Sequence, residues 1–112
     1  MIIENINIEG AFIIKNFNSK DGRGKFVKTY NATDFNHNNL NFIVKESYYS
    51  INKKNVIRGM HFQLPPYNHN KLVYVSTGKI IDVILDLRKN SKTFLKFCEI
   101  KLSENDNSSI YI

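Results

Sequence analysis

An all-β fold, a sandwich or a jelly roll, is what this sequence predicts, and three observations carry the prediction. Short segments rich in β-branched and aromatic residues recur along the chain, each bounded by clusters of Asn, Asp, Gly, Ser or Pro. Helical periodicity is almost absent. The composition is that of an ordinary globular protein, 42% hydrophobic with 12% aromatic, so the segments have a core to build. Residues 1–112 are expected to form a single domain, with no internal repeat and no linker.

Taken in order, residues 11–17 and 25–30 read as strands, separated by a loop at 18–24 that is rich in turn residues. Residues 31–41 are polar, with Thr33 or Asp34 placed to cap a single helical turn. Residues 42–50 and 56–63 are aromatic or β-branched and read as two further strands around a turn at 52–55. Pro65-Pro66 then imposes an irregular loop to Asn70, because proline cannot donate to a ladder. Residues 71–76 and 79–87 flank Thr77-Gly78, which reads as a tight hairpin. Strands at 95–102 and 108–112 complete the set, with a loop at 103–107 between them.

That hairpin register sets Val73 opposite Asp82 and Lys71 opposite Ile84, which makes Lys71 and Asp82 diagonal neighbours. A lysine and a carboxylate on an apolar face are costly unless paired. Two readings follow: a surface ion pair on the solvent side, or a lysine held by a carboxylate inside a ligand cavity. The apolar alternation of the neighbouring residues favours the second.

Charge and cysteine usage narrow the classes. The formal charge is +6 with a pI near 9.5, yet the three arginines and thirteen lysines are scattered, with no block of five like charges. That pattern is a solvated lysine-rich surface rather than a nucleic-acid footprint, and it leaves room for a small phosphorylated ligand. No apolar run approaches the roughly 20 residues that cross a bilayer, so no membrane partner is expected. The first residues lack the pattern of a signal peptide, and the single Cys98 excludes an internal disulfide; the expected compartment is the cytoplasm. Cys98 itself reads as a small buried hydrophobe.

The chemistry concentrates in Arg58-Gly59-Met60-His61-Phe62-Gln63. The unperturbed pKa of histidine, about 6.5, makes His61 the first candidate for moving protons, with Arg58 placed to hold an anionic substrate beside it. His61 and His69 lack a nearby carboxylate and His37 lies in a polar loop, so no metal site is expected. A glycine-rich phosphate loop is absent as well.

These segments, in this order, resemble a known family. Asp21-Gly22-Arg23-Gly24-x-Phe26, then residues 56–63, Lys71-Leu72-Val73, Gly78, Asp82-Val83, Asp86-Leu87-Arg88, Ser91-x-Thr93-Phe94 and Leu102-Ser103-x-x-Asn105 are similar to the dTDP-4-dehydrorhamnose 3,5-epimerases. The resemblance covers nearly the whole chain and implies a cupin-type jelly roll working as a homodimer, without cofactor, on a nucleoside-diphosphate sugar. The implied reaction inverts C3 and C5 beside the C4 ketone of a dTDP-4-keto-6-deoxy sugar. Hydrogens next to a ketone become acidic only when the enolate is stabilised, so a base and a cation must flank the sugar.

By resemblance His61 is that base, Lys71 lies by the developing oxyanion, and Arg58 binds the substrate. Arg23 and Phe26 correspond to a loop that reaches the nucleotide, arginine on phosphate and phenylalanine on the base. Asp82 orients Lys71, an inference from the hairpin register and not a carried-over role. The chain departs from the family at Lys28, where glutamate is common, and at Glu46 and Tyr48, where glutamine and asparagine are common. Those positions resemble nucleotide contacts, so a different base or sugar is implied, and Lys28 could pair with Glu46.

Family members continue past the position of Ile112 into strands that carry a catalytic tyrosine, the acid for the opposite face of the sugar. No residue here matches it, and Tyr111 lies upstream of that segment. The expectation is therefore a jelly roll incomplete at its C-terminus, with unpaired edges and an open core. A second functional class stands beside the epimerase: a non-catalytic cupin that binds a nucleotide sugar or only dimerises.

Overall fold

The computed structural model describes residues 1–112 as eight strands and one short helix. Four strands make an antiparallel sheet in the order β1 (Ile2–Asn5), β2 (Phe12–Lys15), β8 (Ser108–Tyr111), β5 (Leu72–Tyr74). The strand latest in the sequence thus sits in the middle, and all four of its residues are buried. Alternation along β8 gives the sheet two different faces. Ile110 lies between Ile13 and Val73 on one face, while Tyr111 lies between Phe12 and Leu72 on the other.

The Ile110 face packs on a hairpin-like pair, β6 (Lys79–Leu85) with β7 (Phe97–Ser103), through Ile84, Ile100 and Leu102. The Tyr111 face is covered by the helix α1 (Ala32–His37) and the chain after it, through Phe35 and Leu40. Phe35 is 1% exposed and meets Tyr30 edge-on, with ring centroids 4.9 Å apart. Burying a side chain of that size stabilises by about 3 kcal/mol. The core is therefore two small clusters, one on each side of one sheet.

The all-β expectation holds, and several local readings need correction. The stretch at 18–24 is not a loop. It belongs to a protruding hairpin of β3 (Phe17–Asp21) and β4 (Gly24–Lys28), with only Gly22 and Arg23 between the strands. Asp21 makes so short a turn possible, because its carboxylate accepts from the backbone N–H of Arg23 at 2.9 Å. The cap of α1 is Asn31 rather than Thr33 or Asp34: its side chain accepts from the N–H of Asp34 at 3.1 Å. Strand β1 was not foreseen at all.

Thr77-Gly78 is not a hairpin turn either. β5 pairs with β8 and β6 with β7, so the segment between them carries the chain from one layer to the other. Gly78, at φ +82°, exchanges bonds with Glu104: the Glu104 N–H donates to the Gly78 carbonyl, and the Gly78 N–H to the Glu104 carboxylate. The expected pairings of Val73 with Asp82 and of Lys71 with Ile84 fall with the hairpin.

The largest difference lies at residues 42–50 and 56–63. Both read as strands, yet neither joins a ladder, because no strand lies alongside to take their hydrogen bonds. The accessible surface records this: it is 9246 Å². A compact monomer of this mass exposes about 6,400 Å². The radius of gyration, 14.8 Å, likewise exceeds the value of about 13 Å usual for this length.

Candidate substrate site

The residues singled out by sequence fall on three parts of the fold. Arg23, Phe26 and Lys28 are on the protruding hairpin, Glu46, Tyr48, Arg58 and His61 on the irregular stretch before β5, and Lys71 and Asp82 between the two layers.

On the hairpin, the register places Phe26 opposite Ser19 and Lys28 opposite Phe17, so these four side chains share one face. Phe17 and Phe26 are each 55% exposed, and the Lys28 ammonium stands over the Phe17 ring, 5.6 Å from its centre. Lys28 makes no ion pair with Glu46. Arg23 folds back on Asp21, Nη2 to Oδ2 at 2.7 Å, which holds the Asp21 carboxyl below the ordinary carboxylate range. The Lys25 ammonium ties the hairpin down by donating to the Glu104 carbonyl at 2.8 Å. An exposed aromatic face with cations beside it suits a flat base attached to phosphates.

On the irregular stretch, Arg58 donates through Nε to the Asn52 side chain. Gly59 follows at φ +143°, a conformation that a residue with a Cβ adopts only under strain. That backbone turn separates Arg58 from Met60 and His61. His61, Glu46 and Tyr48 are exposed and take no side-chain hydrogen bond, so the structure does not assemble them with the other candidates.

Between the layers the outcome is closer to expectation. Lys71 is held by a reciprocal backbone pair with Ile112, at 2.8 and 2.9 Å, which extends the β5–β8 ladder by one step. On that face of β5 the next inward residue is Val73, which packs on the cluster containing Ile84. Asp82 precedes Ile84 on the same face of β6 and lies opposite Ile100. Two charged groups thus point into one apolar layer from facing strands. Burial raises the Asp82 carboxyl, the Val83 N–H and the Lys71 charge oppose that shift, and no direct ion pair forms within 4 Å. The diagonal pairing expected from the hairpin register is therefore not formed; the two groups share a layer, and the Lys71 charge acts on Asp82 without an ion pair.

Cys98 lies opposite Ile84, half-buried, and burial pushes its thiol up, as suits a small core residue. No group of three His, Cys, Asp or Glu side chains comes together. Tyr111 is 7% exposed; its hydroxyl donates to the Asn41 carbonyl and accepts from Asn70 at 2.8 Å, a structural role.

Sequence reasoning assigned no role to one further cluster. Asp86, 3% exposed, accepts from Arg88, Ser91 and Thr93, while Arg88 also donates to the Glu9 carbonyl. The Glu9 carboxylate in turn accepts from Ser91 and from the N–H of Lys92. The spacing Asp-x-Arg-x-x-Ser-x-Thr was the available signal: short polar residues around one acid, the composition of a closed turn. A concavity of about 720 Å³ lies beside this cluster, lined in part by Glu9, Lys92 and Thr93, and contains none of the candidate substrate residues.

Residues 5–112 match the sequence model of a family described as dTDP-4-dehydrorhamnose 3,5-epimerase. The chain is 36% identical over 106 residues to the protein of that name from Methanothermobacter thermautotrophicus, covering 95% of this chain and 57% of the relative. It is similar to the crystal structure of the dTDP-4-dehydrorhamnose 3,5-epimerase from Sulfolobus tokodaii, with TM-score 0.91 and 32% identity, covering 99% of this chain and 62% of that one. A structure from Legionella pneumophila, solved with dTDP-4-keto-L-rhamnose, matches with TM-score 0.81 and 29% identity, over 99% of this chain and 59% of its own. The chain therefore spans about three-fifths of the length of these relatives. The shared fold is the expected cupin-type jelly roll.

Proposed function

The chain belongs to the dTDP-4-dehydrorhamnose 3,5-epimerase family, and from that premise we propose that it serves epimerisation beside the ketone of a dTDP-4-keto-6-deoxy sugar. The observation that carries this reading is the match of residues 5–112 to the family, a span that includes His61, Lys71 and Arg58. His61 takes the proton from the carbon next to the ketone, and the electron pair of the broken C–H bond moves into the enolate. Lys71 stabilises the enolate oxygen, with Asp82 as the counter-charge that keeps the lysine turned into the layer. A proton returned to the opposite face of the carbon completes inversion; one returned to the same face gives exchange alone.

Arg58 binds the sugar-phosphate portion, and Arg23, Phe26 and Lys28 hold the nucleotide. Lys28, Glu46 and Tyr48 tune which base or sugar is accepted. A homodimer completes the assembly, and proton transfer of this kind asks for no redox cofactor. No helix is long and apolar enough to cross a membrane, and the cytoplasm is the proposed compartment.

The test is isotope exchange. The protein is incubated with a dTDP-4-keto-6-deoxy sugar in deuterated water, and the C3 and C5 protons are followed. Exchange at either carbon, abolished by His61→Ala, supports the assignment. Absence of exchange from this chain rejects catalysis by it and leaves nucleotide-sugar binding or dimerisation. Exchange that survives His61→Ala rejects His61 as the base.

A further inference from the structure

We propose that Phe17 is the second wall of a slot for the pyrimidine base of the nucleotide, facing Phe26 across the hairpin, with Lys28 donating to the edge of the bound ring. The slot rests on the reading that this hairpin holds the nucleotide. Phe17 itself lies outside the motif that carries the family resemblance, which begins at Asp21.

The register supplies the geometry. Phe17 pairs with Lys28 and Ser19 with Phe26, so four side chains make the corners of one exposed face. Phe17 and Phe26 occupy one diagonal, Ser19 and Lys28 the other. Diagonal neighbours across an antiparallel pair lie about 7–8 Å apart. A flat ring touched on both faces needs walls at that separation, twice the roughly 3.5–4.0 Å of a carbon contact. Rings placed directly opposite would leave no such gap.

Neither phenyl ring serves the fold. Each is 55% exposed, and neither belongs to a core cluster or packs on another aromatic side chain. The Lys28 ammonium rests over the Phe17 ring, 5.6 Å from its centre, and forms no ion pair. An entering base takes that place on the ring, and the freed ammonium turns to a carbonyl at the edge of the base. Lysine carries donors alone, so the edge it meets must accept, while the Ser19 hydroxyl at the opposite corner can do either.

The walls are held before any ligand arrives. Asn16, 6% exposed, donates through its N–H to the Asn107 carbonyl at 2.9 Å and through its side chain to the Ser109 hydroxyl at 2.8 Å. Phe17 follows it directly. On the other face of the hairpin Lys25 is fastened to the Glu104 carbonyl. Side chains on an anchored backbone lose less freedom when a ligand binds.

The experiment titrates the full chain with dTDP by calorimetry. Phe17→Ala should weaken binding about tenfold, as loss of one stacking wall implies, while Phe17→Tyr, which keeps the aromatic face, should bind as the wild type does. Lys28→Met should weaken it about fivefold, because the stem remains and the donor is lost. In the wild-type complex, nuclear Overhauser contacts should run from the thymine methyl group to both the Phe17 and the Phe26 rings. Unchanged affinity in Phe17→Ala or in Lys28→Met overturns the slot. So do an equal loss in Phe17→Tyr, contacts to Phe26 alone, or a wild type that does not bind dTDP. No readout follows proton exchange at the sugar: unchanged affinity in Phe17→Ala leaves His61 and Lys71 in their roles, and absence of isotope exchange leaves the slot standing.

Discussion

Arg88 grips the buried carboxylate of Asp86 with two bonds of 2.8 Å, Nε to Oδ1 and Nη2 to Oδ2, and its backbone N–H adds a third at 3.0 Å. The Asp86 side chain is fully covered while that of Arg88 remains 58% exposed. Ser91 and Thr93 complete the ring, and through Glu9 it fastens the segment before β2 to the connection between β6 and β7.

Asp86→Ala is expected to destabilise the protein by about 2–3 kcal/mol, since it strips partners from a guanidinium and two hydroxyls at once. Urea unfolding followed by circular dichroism measures it. A loss below about 0.5 kcal/mol would show that the ring is incidental.

The same carboxylate sets an acid limit. Its bonds to Arg88 hold the Asp86 pKa far below the ordinary value near 3.8, with Ser91 and Thr93 acting in the same direction. A depressed folded-state pKa contributes stability that is present above the unfolded value and lost as pH falls. Stability of the wild type should therefore decline below about pH 5, and more steeply than that of Asp86→Asn. Parallel curves for the two proteins between pH 6 and 2 would refute this.

Asp82 has the opposite sign. Burial raises its pKa more than the Val83 N–H and Lys71 lower it, so its ionised form costs stability at neutral pH. Asp82→Asn is expected to raise Tm by a few degrees at pH 7, with the gain fading as pH falls from the raised folded-state value to the ordinary carboxylate value and gone below it. Thermal melts of both proteins across that range decide it; a lower Tm at pH 7 means that the Lys71 interaction outweighs burial.

Phe35→Ala should cost about 3–5 kcal/mol, because the ring is 1% exposed and meets Tyr30, Phe42 and Tyr111. The loss should release α1 and the Asn41–Phe42 segment before the β6–β7 pair, which packs on the other face of the sheet. Residue-resolved amide exchange reads both effects.

On the hairpin, Phe26→Ala and Arg23→Ala are each expected to weaken binding of dTDP about tenfold without moving Tm, since both side chains project from an exposed two-stranded element. Calorimetric titration tests the binding. Unchanged affinity in both variants would remove the hairpin from the nucleotide site.

Much of the fold was legible because alternation and turn residues act locally. Strand β8 and the pair β6–β7 lie close to where residues 79–87, 95–102 and 108–112 were read as strands. The misreadings came from partners that no local pattern names. Thr77-Gly78 has the chemistry of a hairpin turn, yet Val73 finds Ile110, far along the chain, and the turn becomes a crossing between layers. Residues 42–50 have strand composition and no neighbour to pair with. Asp21 tightened a stretch that looked like a loop, because one side-chain bond replaced several residues of turn. The candidate site was legible as a motif and not as an assembly: Lys71 and Asp82 face one layer without pairing, while His61 is exposed on the stretch before β5.

The position of β8 sets a timetable for synthesis. Phe12 and Leu72 each register on Tyr111, so these earlier strands cannot close their sheet until Ser108–Tyr111 have left the ribosome. Until then β2 and β5 have no strand between them, and the apolar residues on both sides stay uncovered. A chain arrested before Ser108 is expected to be a ready target for proteases and chaperones.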